Sequence, residues 1–243
     1  MCTLAWGEAE TGFLVCFNRD EQHSRPLAED PRLYAADPAS LIYARDPQGG
    51  GTWFAASTRG FAVALLNNYP FPGEGPVIQY RSRGGLVLKV ASMAPQEAAV
   101  WLGEEDFNSY APFFLFILEP EAVLGMEWDG KQIHRVNPSD GFWTTSSHLP
   151  EAIALWRRQW WQEQFHAAGG TPLNIPGLMR RVNPGKPAHG LTMDRPDART
   201  QSQIELLLTT DTVRFTYRVR QPGGPGYREP IEITHHLEPA DAD

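Results

Sequence analysis

Two short apolar runs open the chain, Met1-Cys2-Thr3-Leu4-Ala5-Trp6 and Gly12-Phe13-Leu14-Val15-Cys16-Phe17. Gly7-Glu8-Ala9-Glu10-Thr11 separates them, and Asn18-Arg19-Asp20-Glu21 follows. Strand, turn and strand in this order read as a β-hairpin. Centring the turn on Glu10 sets Cys2 across from Asn18 and Leu4 across from Cys16, and opposed side chains lie about 4.5–5.5 Å apart at Cβ. Asn18, Arg19 and Asp20 then leave the second strand where Cys2 begins the first. The same register places Cys16 diagonally from Cys2 on one face, at about 7–8 Å, beyond the reach of a relaxed disulfide. Two cysteines in 243 residues fit a reduced compartment, and Cys16 reads as a small core residue.

The hairpin brings together residue types suited to nucleophilic chemistry. Removal of the initiator methionine before a small residue would leave Cys2 with both a thiol and a free α-amine. The thiolate is the nucleophile, with an ordinary pKa of about 8.5, and an α-amine titrates near roughly 7.7–8.0. That amine can take the thiol proton, so nucleophile and base share one residue. A guanidinium at Arg19 favours the thiolate, and a carboxylate at Asp20 can orient the amine. The competing reading is a charged turn, with Asp20 and Glu21 solvated and Arg19 paired to one of them.

Outward from the hairpin, the proline-, aspartate- and arginine-rich stretch from Gln22 to Gln48 predicts a long surface segment. Thr52–Ala56 and Phe61–Leu66 predict a second hairpin, its later strand apolar at every position and therefore covered on both faces. Ser82 is placed to cap a helix running to about Ser92, and a second helix follows from Pro95 to Leu102. Ala111–Leu118, Ala122–Glu127 and Lys131–Val136 read as strands. Pro150–Ala168 is the longest helical stretch, with Ile153, Trp156, Trp160 and Ala167 near one face and Arg157, Arg158, Gln162 and Glu163 largely on the other. Ile204–Leu208, Val213–Val219 and Ile231–Leu237 supply late strands. Strands at both ends with helices grouped between them give an α+β order, and the absence of a linker or repeat favours one domain over residues 1–243.

These segments resemble the NRDE family, also called the transport and Golgi organisation family. It is related to N-terminal-nucleophile hydrolases, whose bile-salt and penicillin V acylase members begin Met-Cys-Thr. Beyond Asn18–Glu21, Gly50-Gly51-Thr52-Trp53 resembles the family's Gly-Gly-Thr-Trp, and Ala62–Tyr69 its Ala-Leu-Thr-Asn-Tyr strand end. Ser82-Arg83-Gly84 is similar to its Ser-Arg-Gly helix start, and Arg199-Thr200-Gln201-Ser202 to its late Arg-x-x-Ser stretch. The likeness spans roughly residues 1–210 and implies a four-layer αββα sandwich. It implies catalytic positions at Cys2, Arg19, Asp20, Asn68 and Arg199, with Asn18, Thr52 and Ser146 binding substrate. Turn chemistry at Asn67-Asn68, and a solvent ion pair of Arg199 with Asp194 or Asp197, are the plainer readings of those residues. The family's Leu-Ser-Asn segment is absent. Phe142-Trp143-Thr144-Thr145-Ser146-Ser147-His148 stands in its region, which leaves the oxyanion to Asn68, a backbone N–H or Ser146.

Two functions follow. The first is a hydrolase acting on a small amide through a thioester at Cys2. The alternative is a non-catalytic binding or carrier protein on the same scaffold, since the resemblance extends to members associated with haem and lipid-metabolite handling. The net charge of −8 argues against nucleic acid and anionic membranes as default partners. No segment reads as a signal peptide, and the longest apolar run, Phe113–Leu118, is far short of the ~20 residues that span a bilayer. The expectation is a cytoplasmic protein with a small-molecule substrate or ligand, compatible with homo-oligomerisation. The dispersed histidines and the Gly49-Gly50-Gly51 run lacking a following Lys-Ser/Thr predict no metal and no cofactor.

Overall fold

The computed structural model describes residues 2–69, 80–138, 140–224 and 226–237. Strands β1 (Cys2–Ala9) and β2 (Gly12–Gln22) form the opening hairpin. They are followed by β3 (Arg32–Tyr34), β4 (Leu41–Tyr43), β5 (Phe54–Ser57) and β6 (Phe61–Asn67). Helices α1 (Gly84–Ala91) and α2 (Pro95–Glu104) precede β7 (Phe113–Leu118), β8 (Val123–Trp128), β9 (Ile133–Val136) and β10 (Phe142–Thr144). Helix α3 (Pro150–Ala167) and the short α4 (Ile175–Met179) lead to β11 (Ala198–Leu208), β12 (Thr212–Val219) and β13 (Ile231–His236).

The strands make two antiparallel sheets, ordered β10-β1-β2-β11-β12-β13 and β3-β4-β5-β6-β7-β8-β9. Because side chains alternate across a strand, each sheet has two faces to cover. Leu4, Val15, Phe17, Ile204 and Phe215 of the first sheet pack on Phe54, Ala62, Ala64 and Phe116 of the second. The outer face of the second sheet, with Val63, Leu65 and Leu115, is covered by Leu86, Val90 and Leu102 of α1 and α2. The outer face of the first, with Ala5, Leu14 and Cys16, is covered by Trp161 of α3 and Leu178 of α4. The architecture is a four-layer αββα sandwich of the α+β class, and β6 is buried on both faces as its continuous apolar run predicts.

The hairpin pairs one residue out of the predicted register. Ala9 faces Gly12 across a two-residue Glu10-Thr11 turn, so Cys2 opposes Arg19 and Ala5 opposes Cys16. A one-residue slip turns every side chain to the other face. Cys2 therefore faces the layer between the sheets, whereas Cys16 faces the helices, so the two thiols do not share a face as expected. Gly12 holds the turn with φ +133°, and β11 passes so close that a Cβ here would stand 2.2 Å from the Leu208 carbonyl oxygen.

Four further expectations need correction. The 22–48 segment is not simply a surface loop, because β3 and β4 lie within it and Leu41 to Ala44 are buried. Ser82 does not cap α1, where Arg83 takes the cap position without a side-chain bond. Strand β11 begins at Ala198 rather than Ile204, so the polar Thr200–Gln203 run is buried sheet. On α3 the buried positions are Ile153, Arg157 and Trp161, so Arg157 is core rather than surface.

Candidate active site at Cys2

Cys2 lies at a cavity of about 460 Å³, shared with Arg19, Asp20, Glu21, Arg25, Asp46, Thr52, Trp53, Asn67 and the Arg81–Gly84 segment. Two of the motifs build its rim by packing on each other. Thr52 donates its backbone N–H to the Gly84 carbonyl at 3.2 Å. A Cβ on Gly51 would meet the Gly84 carbonyl carbon at 2.3 Å, so only glycine allows this approach. Thr52 fixes its own turn, its hydroxyl donating to the carbonyls of Ala44 and Phe54 at 2.8 and 3.0 Å.

Arg19 opposes Cys2 on the inter-sheet side. Its guanidinium lies 4.0 Å from the Trp53 ring centroid and donates to Gln201 Oε1 and, at 3.3 Å, to Glu21 Oε2. Gln201 reaches this position because β11 carries a bulge between Thr200 and Ser202. Burial dominates the thiol: it pushes Cys2 up to about 11, with Asp20 adding repulsion, while Arg19 and the Asp20 backbone N–H favour the thiolate. The expected activation by Arg19 is thus present but smaller than the cost of desolvation.

Asp20 turns to the helix side of the sheet. Its carboxylate accepts the Thr200 hydroxyl at 2.6 Å and the Arg157 guanidinium at 3.4 Å. Both members of the ion pair are fully buried, and burial pushes the carboxyl up against the opposing pull of Arg157 and Thr200. Arg157 also donates to the Thr3 and Thr144 hydroxyls at 3.3 and 3.1 Å, to the Thr145 carbonyl at 3.5 Å and to the His189 carbonyl at 3.0 Å. Strand β10, which the sequence did not announce, brings Thr145 to Cys2. Thr145 Oγ1 accepts the Cys2 backbone N–H at 3.4 Å, and the Thr145 N–H donates to the Cys2 carbonyl at 3.0 Å.

Of the eight residues expected at the site, Cys2, Arg19, Asp20 and Thr52 line this cavity. Asn18 does not: its amide donates to the Met179 and Leu191 carbonyls and accepts from Gln203, tying β2 to α4. Asn68 and Ser146 line a neighbouring, more apolar cavity of about 730 Å³ with Phe114, Trp143 and Leu149. There Asn68 donates to Glu127 at 2.8 Å and Ser146 to the His148 carbonyl at 2.7 Å. Asn67, not Asn68, lines the Cys2 cavity. Arg199 lies elsewhere, donating to the Gln221 carbonyl at 3.2 Å beside Asp194 and Arg220. The residues missed from the sequence are Arg157 and Thr145. The signal for Arg157 was its i, i+4 spacing between Ile153 and Trp161.

The two stacked antiparallel sheets with helices outside them make a fold like that of the N-terminal-nucleophile hydrolases. The conjugated bile acid hydrolase of Clostridium perfringens, in a mutant form, superposes with a TM-score of 0.55 at 12% identity, over 96% of this chain and 92% of that one. A second variant of that enzyme gives 0.55 at 11% identity over the same shares. At these identities the likeness extends to the fold alone. The sequence profile of the transport and Golgi organisation 2 family matches residues 1–166, and the chain belongs to that family. No curated protein sequence matches it significantly. No helix among the described residues is long and apolar enough to cross a membrane.

Proposed function

We propose that the protein is a hydrolase of small amides whose nucleophile is Cys2, acting after removal of Met1, a residue outside those described. The observation that carries this reading is the setting of Cys2. Cys2 lines a cavity, the Asp20 backbone N–H favours its thiolate, and its nitrogen donates to Thr145 Oγ1. In the trimmed chain that nitrogen is the α-amine, and Thr145 Oγ1 is the acceptor that would orient it.

The α-amine takes the thiol proton as sulfur bonds to the amide carbonyl carbon. The C–N bond then breaks, and the proton passes to the leaving amine. Water next adds to the thioester, its hydroxyl going to the acyl carbon and its proton restoring the thiol. Burial pushes the thiol up to about 11 in the chain with Met1, which favours proton transfer concerted with attack. Asn67, at the edge of the Cys2 cavity, is better placed than Asn68 to donate to the oxyanion. Arg199 takes no part.

A specific observation favours the carrier alternative: the larger, apolar cavity is not the one that contains the thiol. Intact mass measurement on the purified protein, followed by incubation with an amide panel and hydroxylamine trapping, separates the two readings. A trimmed chain forming an acyl adduct that Cys2→Ala abolishes is the expected result. Turnover by Cys2→Ala at the wild-type rate, or a chain that keeps Met1, would overturn the mechanism.

A further inference from the structure

The charges around the Cys2 cavity do not cancel. Arg19 is held by Glu21 and Gln201, and Arg25 by Glu21 and, at 2.5 Å, by Asp46. Asp20 is taken by Arg157 on the far side of the sheet. Among the described residues this leaves Arg81 and Arg83 without an ion-pair partner. Arg83 is half-buried and donates to the Pro112 carbonyl at 2.7 Å, which satisfies one donor of five; Glu21 favours its charge without bonding it and is shared with Arg19 and Arg25. Arg81 is exposed at the rim, its guanidinium 5.1 Å from the Tyr110 ring centroid.

A second, independent feature points the same way. Trp53 is 9% exposed and lines the cavity, and its Nε1 has no hydrogen-bond partner among the described residues. An unmade bond at a buried donor is costly unless something else accepts it. Free donors and uncompensated cations in one enclosure are complementary to an anion, and guanidinium suits the planar oxygens of a carboxylate or phosphate.

We propose that the Cys2 cavity selects small amides that carry an anionic group, a carboxylate or a phosphate, which seats on Arg83 with Arg81 at the rim while the amide carbonyl meets Cys2. This rests on the hydrolase reading for its reaction, but the anion site itself does not. It makes Arg83 the specificity-determining residue of the pocket, with the neutral form of each substrate a poor ligand.

The test is binding to Cys2→Ser protein, which removes the reactive thiol, by calorimetry with matched probes. N-acetylglycine is compared with N-acetylglycinamide, succinamate with succinamide, and N-acetyl-O-phosphoethanolamine with N-acetylethanolamine. The expected result is a preference of about tenfold or more for the anion in at least one pair, the charge-assisted bonds to Arg83 being the difference. The first two pairs report a carboxylate and the third a phosphate. Adding Arg83→Gln is expected to erase that preference, and Arg83→Lys to keep part of it, with thermal melts confirming that both variants fold. Equal binding within every pair, no binding of any anion, or a preference that survives Arg83→Gln overturns the proposal. Wild-type protein that prefers the anion yet turns over none of the amides would refute the hydrolase reading while leaving the anion site intact.

Discussion

Replacing Arg157 with methionine, which keeps much of the side-chain volume, tests whether the Asp20–Arg157 pair holds the first sheet to α3. Both side chains are fully buried, and their closest N···O approach is 3.4 Å. Removing one partner of a buried ion pair typically costs about 3–5 kcal/mol, because the other charge is left uncompensated. For a chain of 150–250 residues about 1 kcal/mol shifts the midpoint by roughly 2–4 °C, so Arg157→Met should lower Tm by roughly 6–20 °C. The Thr3 and Thr144 hydroxyls still bond each other at 2.9 Å, but the His189 carbonyl loses its Arg157 donor. The loss should also depend on pH. Burial already raises the Asp20 carboxyl, and removing the cation raises it further. A raised acid favours the folded state fully below its unfolded pKa of about 3.9, and that advantage is lost as pH rises through the folded value. The deficit is therefore largest at pH 8 and shrinks towards acid. Urea unfolding of Arg157→Met, Asp20→Asn and the double variant at pH 5 and pH 8 measures the coupling. Additive effects, or a deficit independent of pH, would refute the pairing as the source of stability.

Alkylation of Cys2 with iodoacetamide, in protein retaining Met1, should rise about tenfold per pH unit through pH 9 and 10 rather than level off near the ordinary thiol value of about 8.5, because burial holds the thiol near 11. A plateau below pH 9, read by peptide mass spectrometry, would contradict that. Gly12→Ala should cost about 2 kcal/mol or more in urea unfolding, since the backbone at φ +133° and the Leu208 carbonyl at 2.2 Å both exclude a Cβ. Leu149 stands at φ +45° with its side chain 58% exposed. Leu149→Asn should therefore stabilise the fold by about 1 kcal/mol, and an unchanged or lower Tm would count against strain at that residue.

The strands were legible wherever one face or both had to be apolar, as in β2, β6 and β7. Their partners were harder to read. Glu10-Thr11 carries none of the Asn-Gly or Asp-Gly chemistry that fixes a two-residue turn, so the hairpin was visible while its register slipped by one. That slip governed the site, because it exchanged Asn18 for Arg19 opposite Cys2. Thr200 to Gln203 looked unlike core because each is polar, yet each is buried, Thr200 bonding Asp20, Gln201 Arg19 and Gln203 Asn18. Arg157 misled for the same reason. A charge on a helix reads as surface until the carboxylate that neutralises it, more than a hundred residues away in sequence, is known.

The register also explains why the motif residues divide between two layers. Alternation along β2 sends the Arg19 side chain into the cavity and the side chains of Asn18 and Asp20 beneath the sheet, so one tetrapeptide serves both sides. Asn18 anchors α4, and Asp20 anchors α3 through Arg157. Arg157 in turn donates to Thr3, Thr144 and the carbonyl of Thr145, the residue whose hydroxyl meets the Cys2 nitrogen. The position of that nitrogen is therefore coupled to α3 by a buried chain of hydrogen bonds. On this geometry a substitution at Arg157 should disturb the Cys2 pocket even where the protein stays folded. Cys2 alkylation at fixed pH should then change in Arg157→Met but not in Arg199→Gln, whose side chain lies at a separate cavity. Equal alkylation of wild type and both variants would show that the network holds the layers together without setting the position of Cys2.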